Sequence, residues 1–255
     1  MFFPLRDDDR ALSKPAIVTH VLFWLNIAVF VYQFLNPDFT YGFSAIPAEI
    51  TGGVDFVEPV VVGEGDESFQ IPHAPGPSPI FLTLITSMFM HGGFMHIAGN
   101  MLYLWIFGDN VEHRFGSRRF LVFYLVSGVI GSLAHVLFDS GSMIPSLGAS
   151  GAISGVMGAY LVLFPRNKVT CLFLLFIVSL PAFAVIGGWA VTQVLGGIGS
   201  IAVTTQSGGV AYLAHIGGFI AGIALALVEK RRMPAEPDSV LYRYHRDDPT
   251  SRRLW

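Results

Sequence analysis

The sequence predicts an all-α polytopic membrane protein with six transmembrane helices, and three observations carry that expectation. The first is composition. Of 255 residues, 53% are hydrophobic and 13% charged, about half the usual quarter, and the mean hydropathy is +0.59. Fifteen basic and eighteen acidic side chains are too few to clothe a soluble domain of this size. High hydrophobicity with low charge also excludes intrinsic disorder. A net charge of −3 gives no reason to expect a nucleic-acid partner. Cys171 is the single cysteine, which excludes an internal disulfide and any Cys-based structural zinc site.

The second observation is where the charges stop. Crossing the hydrocarbon core takes about 20 largely apolar residues, because a helix rises only ~1.5 Å per residue. Residues 15–37 carry no Asp, Glu, Lys or Arg, and Ile17–Leu35 reads as the first span. The stretch 68–108 is also uncharged, but its start (IPHAPGPSP) is too rich in proline for a helix interior, so the second span falls within about 81–107. Residues 120–138 form the third. Within 140–165, the breaker SGSMIPSLG sets the start of the fourth near Ser150. The uncharged stretch 169–228 is too long for one helix. Glycines and polar residues at 187–209 divide it into a fifth span near 169–187 and a sixth near 209–228.

The third observation is the sidedness of the basic residues, which concentrate on the cytoplasmic side of short loops. All fifteen Lys and Arg fall before span one, between spans two and three, between four and five, or after span six. The connections 36–80, 139–149 and 188–207 hold none. Both termini are therefore predicted to be cytoplasmic, in a multi-pass protein of the cell (inner) membrane. The acidic run Asp7–Asp9 and the absence of a small-residue cleavage site argue against a cleavable signal peptide. The expected organisation is a cytoplasmic segment 1–16, a membrane domain 17–229 and a charged cytoplasmic tail 230–255. The connection 36–80 is long enough to have structure of its own.

Polar groups inside a bilayer are costly, and few occur here. They are His91, His96 and Asn100 in span two, His135 at the end of span three, Ser150 at the head of span four and His215 in span six. Singly, each reads as a cap or an interhelical bridge. Together they point further. His96 and Asn100, four apart, share one helix face. Ser150 stands at a helix start between Ala149 and Gly151, with Gly148 just before, where its N–H has no intrahelical partner and a substrate can approach closely. Small residues Ala214, Gly218 and Gly222 on span six match Gly151, Gly155 and Ala159 on span four, a pattern that brings two membrane helices together. Such packing would put the Ser150 hydroxyl beside a His215 nitrogen, the relation of a nucleophile to its general base.

Other chemistries lack their residues. No His-Glu-x-x-His is present for zinc, and no Gly-x-x-x-x-Gly-Lys-Ser/Thr for a nucleotide phosphate. Gly63-Glu64-Gly65-Asp66 matches the Gly-x-Gly-Asp string of membrane aspartyl proteases, but no span carries a partner Asp.

HGGFMHIAGNMLYLWIFGDNVEHRFG (91–116), GASGAISGVMGAY (148–160) and AHIGGFIAG (214–222) together resemble the rhomboid intramembrane serine proteases. The resemblance implies a six-helix rhomboid-like bundle and an endopeptidase that hydrolyses peptide bonds in or near transmembrane segments. In that reading Ser150 is the nucleophile and His215 the base. His96, Asn100 and the Ser150 N–H form the oxyanion hole, with Gly148 and Gly151 supporting the site. It also implies a partly membrane-embedded first loop, mobile elements at span five and 188–207, no cofactor, and single-span or other membrane proteins as substrates in the lipid bilayer. The family commonly has an aromatic residue four after the nucleophile, stacked on the base. Ser154 stands there, leaving Tyr103, Tyr160, Tyr212 or another ring to hold His215. The alternatives are a rhomboid-like pseudoprotease that binds membrane clients without cleavage and a small channel or transporter using the histidines as a proton path.

Overall fold

Long apolar helices dominate the chain, and the computed structural model describes them over residues 3–8, 15–62, 68–202 and 212–233. Strand β1 (Phe3–Arg6) precedes helix α1 (Ile17–Leu35). The first connection folds into α2 (Pro37–Phe43), α3 (Pro47–Gly52) and the antiparallel pair β2 (Val60–Val62) and β3 (Phe69–Ile71). Next come a 3-10 turn at Ile80–Leu82, α4 (Thr83–Thr86), a second turn at Ser87–Phe89, and then α5 (Phe94–Phe115), α6 (Ser117–Phe138) and α7 (Ser150–Leu163). Strands β4 (Lys168–Phe173) and β5 (Phe176–Pro181) lead into α8 (Ala182–Ala202) and α9 (Tyr212–Arg232). The Gly63–Asp66 string, half of the segment 1–16 and nearly all of the tail 230–255 lie outside the described residues.

Four of these helices, α1, α6, α8 and α9, are long and apolar enough to cross a membrane. The pair Ile80–Phe89 and α5 makes a fifth span if counted as one, bent by 79°. The expected second span at 81–107 is thus broken and displaced. The Gly92-Gly93 doublet interrupts the helix, and Gln33 of α1 holds the chain there. Its Oε1 accepts the His91 N–H at 2.9 Å, and its Nε2 donates to the His91 carbonyl at 3.3 Å. Beyond residue 107, α5 continues through Asp109, Glu112 and Arg114 because the charge inside it has partners. Glu112 is buried and accepts the N–H groups of Val18 and Thr19 at 2.9 and 2.7 Å, the Thr19 hydroxyl at 2.8 Å and the Ser117 hydroxyl at 2.6 Å. Glu112 therefore caps α1 from another helix, on a terminus with no cap of its own.

Helix α7 starts at Ser150 as expected and has only 14 residues, ~21 Å against a hydrocarbon core of ~30 Å. Every residue from Gly151 to Tyr160 is buried, so α7 is a central helix wrapped by the others. Six full-length spans are therefore not what the lengths give.

The largest departure is at the fifth span. Residues 169–187 were expected to be helical. Instead β4 and β5 form a hairpin through Pro181, joined by β1 into an antiparallel sheet ordered β1-β4-β5. Hydropathy cannot tell an apolar strand from an apolar helix, and KVTCLF and FIVSLP carry the β-branched and aromatic residues that strands favour. The glycines at 187–199, read as a loop, lie inside α8. A Cβ on Gly196 would stand 2.4 Å from the Tyr212 ring, and one on Gly197 3.2 Å from Ile216, so these glycines permit α8 to pack on α9.

The connections sort into two ends. At one end β1 pairs with β4, Lys230 Nζ donates to the Val162 carbonyl at 2.8 Å, and Arg119 meets Glu229 at 3.4 Å. At the other, the first connection is tied to residues 139–149. Ala45 and Ser146 exchange backbone hydrogen bonds of 2.9 and 2.8 Å, and the Thr51 hydroxyl donates to the Ser140 carbonyl at 2.9 Å. That second end holds the chain leading into Ser150.

Candidate active site

Helices α7 and α9 cross at their small residues. A Cβ on Gly218 would fall 2.0 Å from the Gly151 carbonyl oxygen, and one on Gly222 2.0 Å from that of Gly155. No side chain larger than hydrogen fits at either contact. This approach sets Ser150, the first residue of α7, against His215 on α9, and His215 Nε2 lies 2.7 Å from Ser150 Oγ.

The other ring nitrogen fixes the tautomer. His215 Nδ1 lies 2.7 Å from Gln193 Oε1, and the Gln193 amide nitrogen donates to Thr192 Oγ1 at 3.1 Å, which turns the amide oxygen toward the ring. An amide oxygen only accepts, so Nδ1 carries the proton and Nε2 offers its lone pair to the Ser150 hydroxyl. Trp189, one turn earlier on α8, packs beside the ring with centroids 6.1 Å apart. These two residues do what the sequence reading sought from tyrosines. Tyr160 instead donates to Asp7 and accepts from Asn167, and Tyr212 packs on Gly196. Ser154 turns away, donating to the Ser150 carbonyl at 2.6 Å. Gln193 and Trp189 were missed because 188–207 was read as a loop. Their i, i+4 spacing, which puts both on one helix face, was the available signal.

His96 and Asn100 meet the same place from α5. Gly148 adopts φ +129°, and a Cβ on it would lie 2.8 Å from His96 Nε2 and 3.6 Å from Asn100 Nδ2. The Gly92 N–H donates to His96 Nδ1 at 3.3 Å, so the neutral ring carries its proton on Nε2, the nitrogen beside Gly148. Asn100 is buried and its Nδ2 has no hydrogen-bond partner among the described residues. Such an orphan donor is uncommon and marks a place for an acceptor. The Gly148 N–H is held by the Ser87 carbonyl at 2.9 Å, which keeps the loop in this shape. A small cavity beside Ser150 is lined by Ser87, Ser132 and Ser146 among others. His91 stacks edge-on against His96, centroids 5.3 Å apart, and supports its ring. His135 lies farther along α6 with an unpartnered Nδ1. Among the described residues no group of three or more His, Cys, Asp or Glu converges as a metal site.

The fold and site together define a multi-pass helical membrane protein with a hydrogen-bonded serine–histidine pair between two helices. A family model, the Rhomboid domain, matches residues 80–232, and the chain belongs to the rhomboid family. It is 35% identical over 210 residues to rhomboid protease GluP of Bacillus subtilis, covering 77% of this chain and 36% of that protein. It is 32% identical over 160 residues to the mitochondrial Rhomboid protein 1 of Saccharomyces cerevisiae, covering 59% and 44%, and 34% identical over 151 residues to RHOMBOID-like protein 5 of Arabidopsis thaliana, covering 57% and 43%. The chain thus spans less than half the length of each of these relatives.

Proposed function

We propose that this chain is an intramembrane serine endopeptidase that cleaves membrane-protein substrates in or near their transmembrane segments. The observation that carries the reading is the relay Gln193–His215–Ser150, with two contacts of 2.7 Å in line. His215 Nε2 takes the proton as Ser150 Oγ attacks the scissile carbonyl, then returns it to the leaving amine. In this reading the negative charge on the tetrahedral oxygen falls beside Gly148, near His96 Nε2 and Asn100 Nδ2, and the Ser150 N–H, without an intrahelical partner at the helix start, is the third donor. Because these donors are held before substrate arrives, they stabilise the charge without reorganising. Water then attacks the acyl-enzyme, and the serine-lined cavity next to Ser150 is polar enough to hold one.

The sidedness of the basic residues supports placing both termini and the β1-β4-β5 sheet on the cytoplasmic side, with Ser150 opening toward the other face. The first connection, with Val54, Val57 and Val61 exposed, suits partial immersion in that outer leaflet.

The direct test is labelling by a fluorophosphonate probe together with cleavage of a panel of single-span membrane proteins. A pseudoprotease would bind clients with neither signal. Two variants grade the mechanism. Asn100→Ala, which removes one oxyanion donor, is expected to lower turnover ~10²–10³-fold while leaving measurable cleavage. Gln193 acts through His215 and is a positioning residue. Gln193→Ala is expected to slow cleavage ~10-fold or more, and Gln193→Glu, which keeps an acceptor at the same reach, to restore most of it. Equal loss in both variants at unchanged thermal stability would show that the acceptor is not what matters.

A further inference from the structure

We propose that the β4–β5 hairpin is a lipid-binding element whose tip inserts among the acyl chains of the leaflet at the basic end of the bundle. Its root is built into the protein. Val169 and Cys171 are fully buried, in the same core as Phe107 and Tyr160. The root therefore packs into the core of the helix bundle rather than standing off its end. Toward the tip, burial ends and apolarity does not. Leu174, Leu175, Phe176 and Ile177 are 75%, 91%, 69% and 72% exposed.

The turn lacks the residues usual in a hairpin that faces water. A tight hairpin turn in water uses Gly, Asn or Asp at positions with positive φ. Here Leu174 takes that conformation, with φ 54°, the sole non-glycine residue to do so among the described residues. A branched apolar side chain is disfavoured there and gives the backbone no hydrogen bond, so its gain must come from what surrounds the tip. The ladder runs unbroken from Lys168↔Pro181 to Phe173↔Phe176, so the groups the two strands turn toward each other are paired up to the turn, while the outer edge of β5 has no partner strand among the described residues, which limits insertion to the tip.

Two features select lipid over a protein partner. The exposed tip continues the apolar surface of α8, where Phe183, Val191, Leu195 and Ile198 are also exposed, with no charged residue anywhere in 169–228. Lys168, exposed at the root, is suited to anionic headgroups. A docking site for a soluble protein would carry a polar rim around such a patch.

The test uses the full chain in liposomes of zwitterionic and anionic lipid, with Leu175→Cys added. Parent Cys171, being buried, serves as the unreactive control. A membrane-impermeant maleimide supplied on both sides should react with Leu175→Cys ~10-fold or more slowly than with Lys168→Cys, because thiolate does not form in hydrocarbon. A fluorophore at residue 175 should be quenched by lipids brominated along their acyl chains and not by aqueous iodide. Rapid labelling or iodide quenching would overturn the proposal in favour of a hydrated tip. Shielding lost on diluting the protein into more lipid would overturn it in favour of a second copy of the chain.

Discussion

Ser150→Ala is expected to abolish cleavage of every membrane substrate that the parent chain cuts, and to abolish fluorophosphonate labelling, while the variant inserts and unfolds like the parent. The effect should reach ~10⁴–10⁶ in rate, because loss of the nucleophile removes the covalent pathway whole. The structure explains why the fold should tolerate the change. Ser150 Oγ is held by His215 alone among the described hydrogen bonds, and alanine is a good residue in the first turn of a helix. His215 keeps its anchor on Gln193, so the cavity does not collapse. Co-expression with single-span membrane proteins, parent against variant, measures the effect. Cleavage persisting at the parent's rate would remove Ser150 from the chemistry.

Gly218→Val is expected to cost both stability and activity. Its Cβ would occupy a point 2.0 Å from the Gly151 carbonyl oxygen, a backbone atom on a helix buried on all sides, so α7 and α9 must separate. A forced separation at a packed contact costs about 3 kcal/mol or more. The same separation withdraws His215 from Ser150, which starts α7 one residue before Gly151. A lowered unfolding midpoint in detergent and lost probe labelling should appear together. Gly218→Val with normal labelling would show that the two helices position the pair less directly than their contact implies. In contrast, Ser150→Ala should lower labelling alone, and the pair of variants separates chemistry from packing.

Much of this site is legible along the chain because its parts are marked by local rules. Ser150 announces itself by a helix start after Pro145 and Gly148, His96 and Asn100 by their four-residue spacing, and His215 by the small residues around it. Gln193 carries no such mark. It is one amide in an apolar stretch, and its role exists only because α8 runs beside α9. Glu112 misled for a related reason. Read alone, a carboxylate ends a membrane span, yet here it lies inside α5 because the first N–H groups of α1, which have no partner within their own helix, donate to it.

The membrane class, the end at which the basic residues gather, and Ser150, His215, His96 and Asn100 as site candidates are legible along the chain. Each depends on hydropathy, charge or spacing along the chain, the pairing of Ser150 with His215 on small-residue stripes in two segments. The packed fold was needed to see that residues 168–181 are a hairpin, that α8 starts at Ala182 and that an amide from α8 meets His215. The physical reason is that an apolar run satisfies burial equally as strand or helix. Which one forms depends on the neighbours that complete its backbone hydrogen bonds, and here β1, more than 160 residues earlier, supplies one edge.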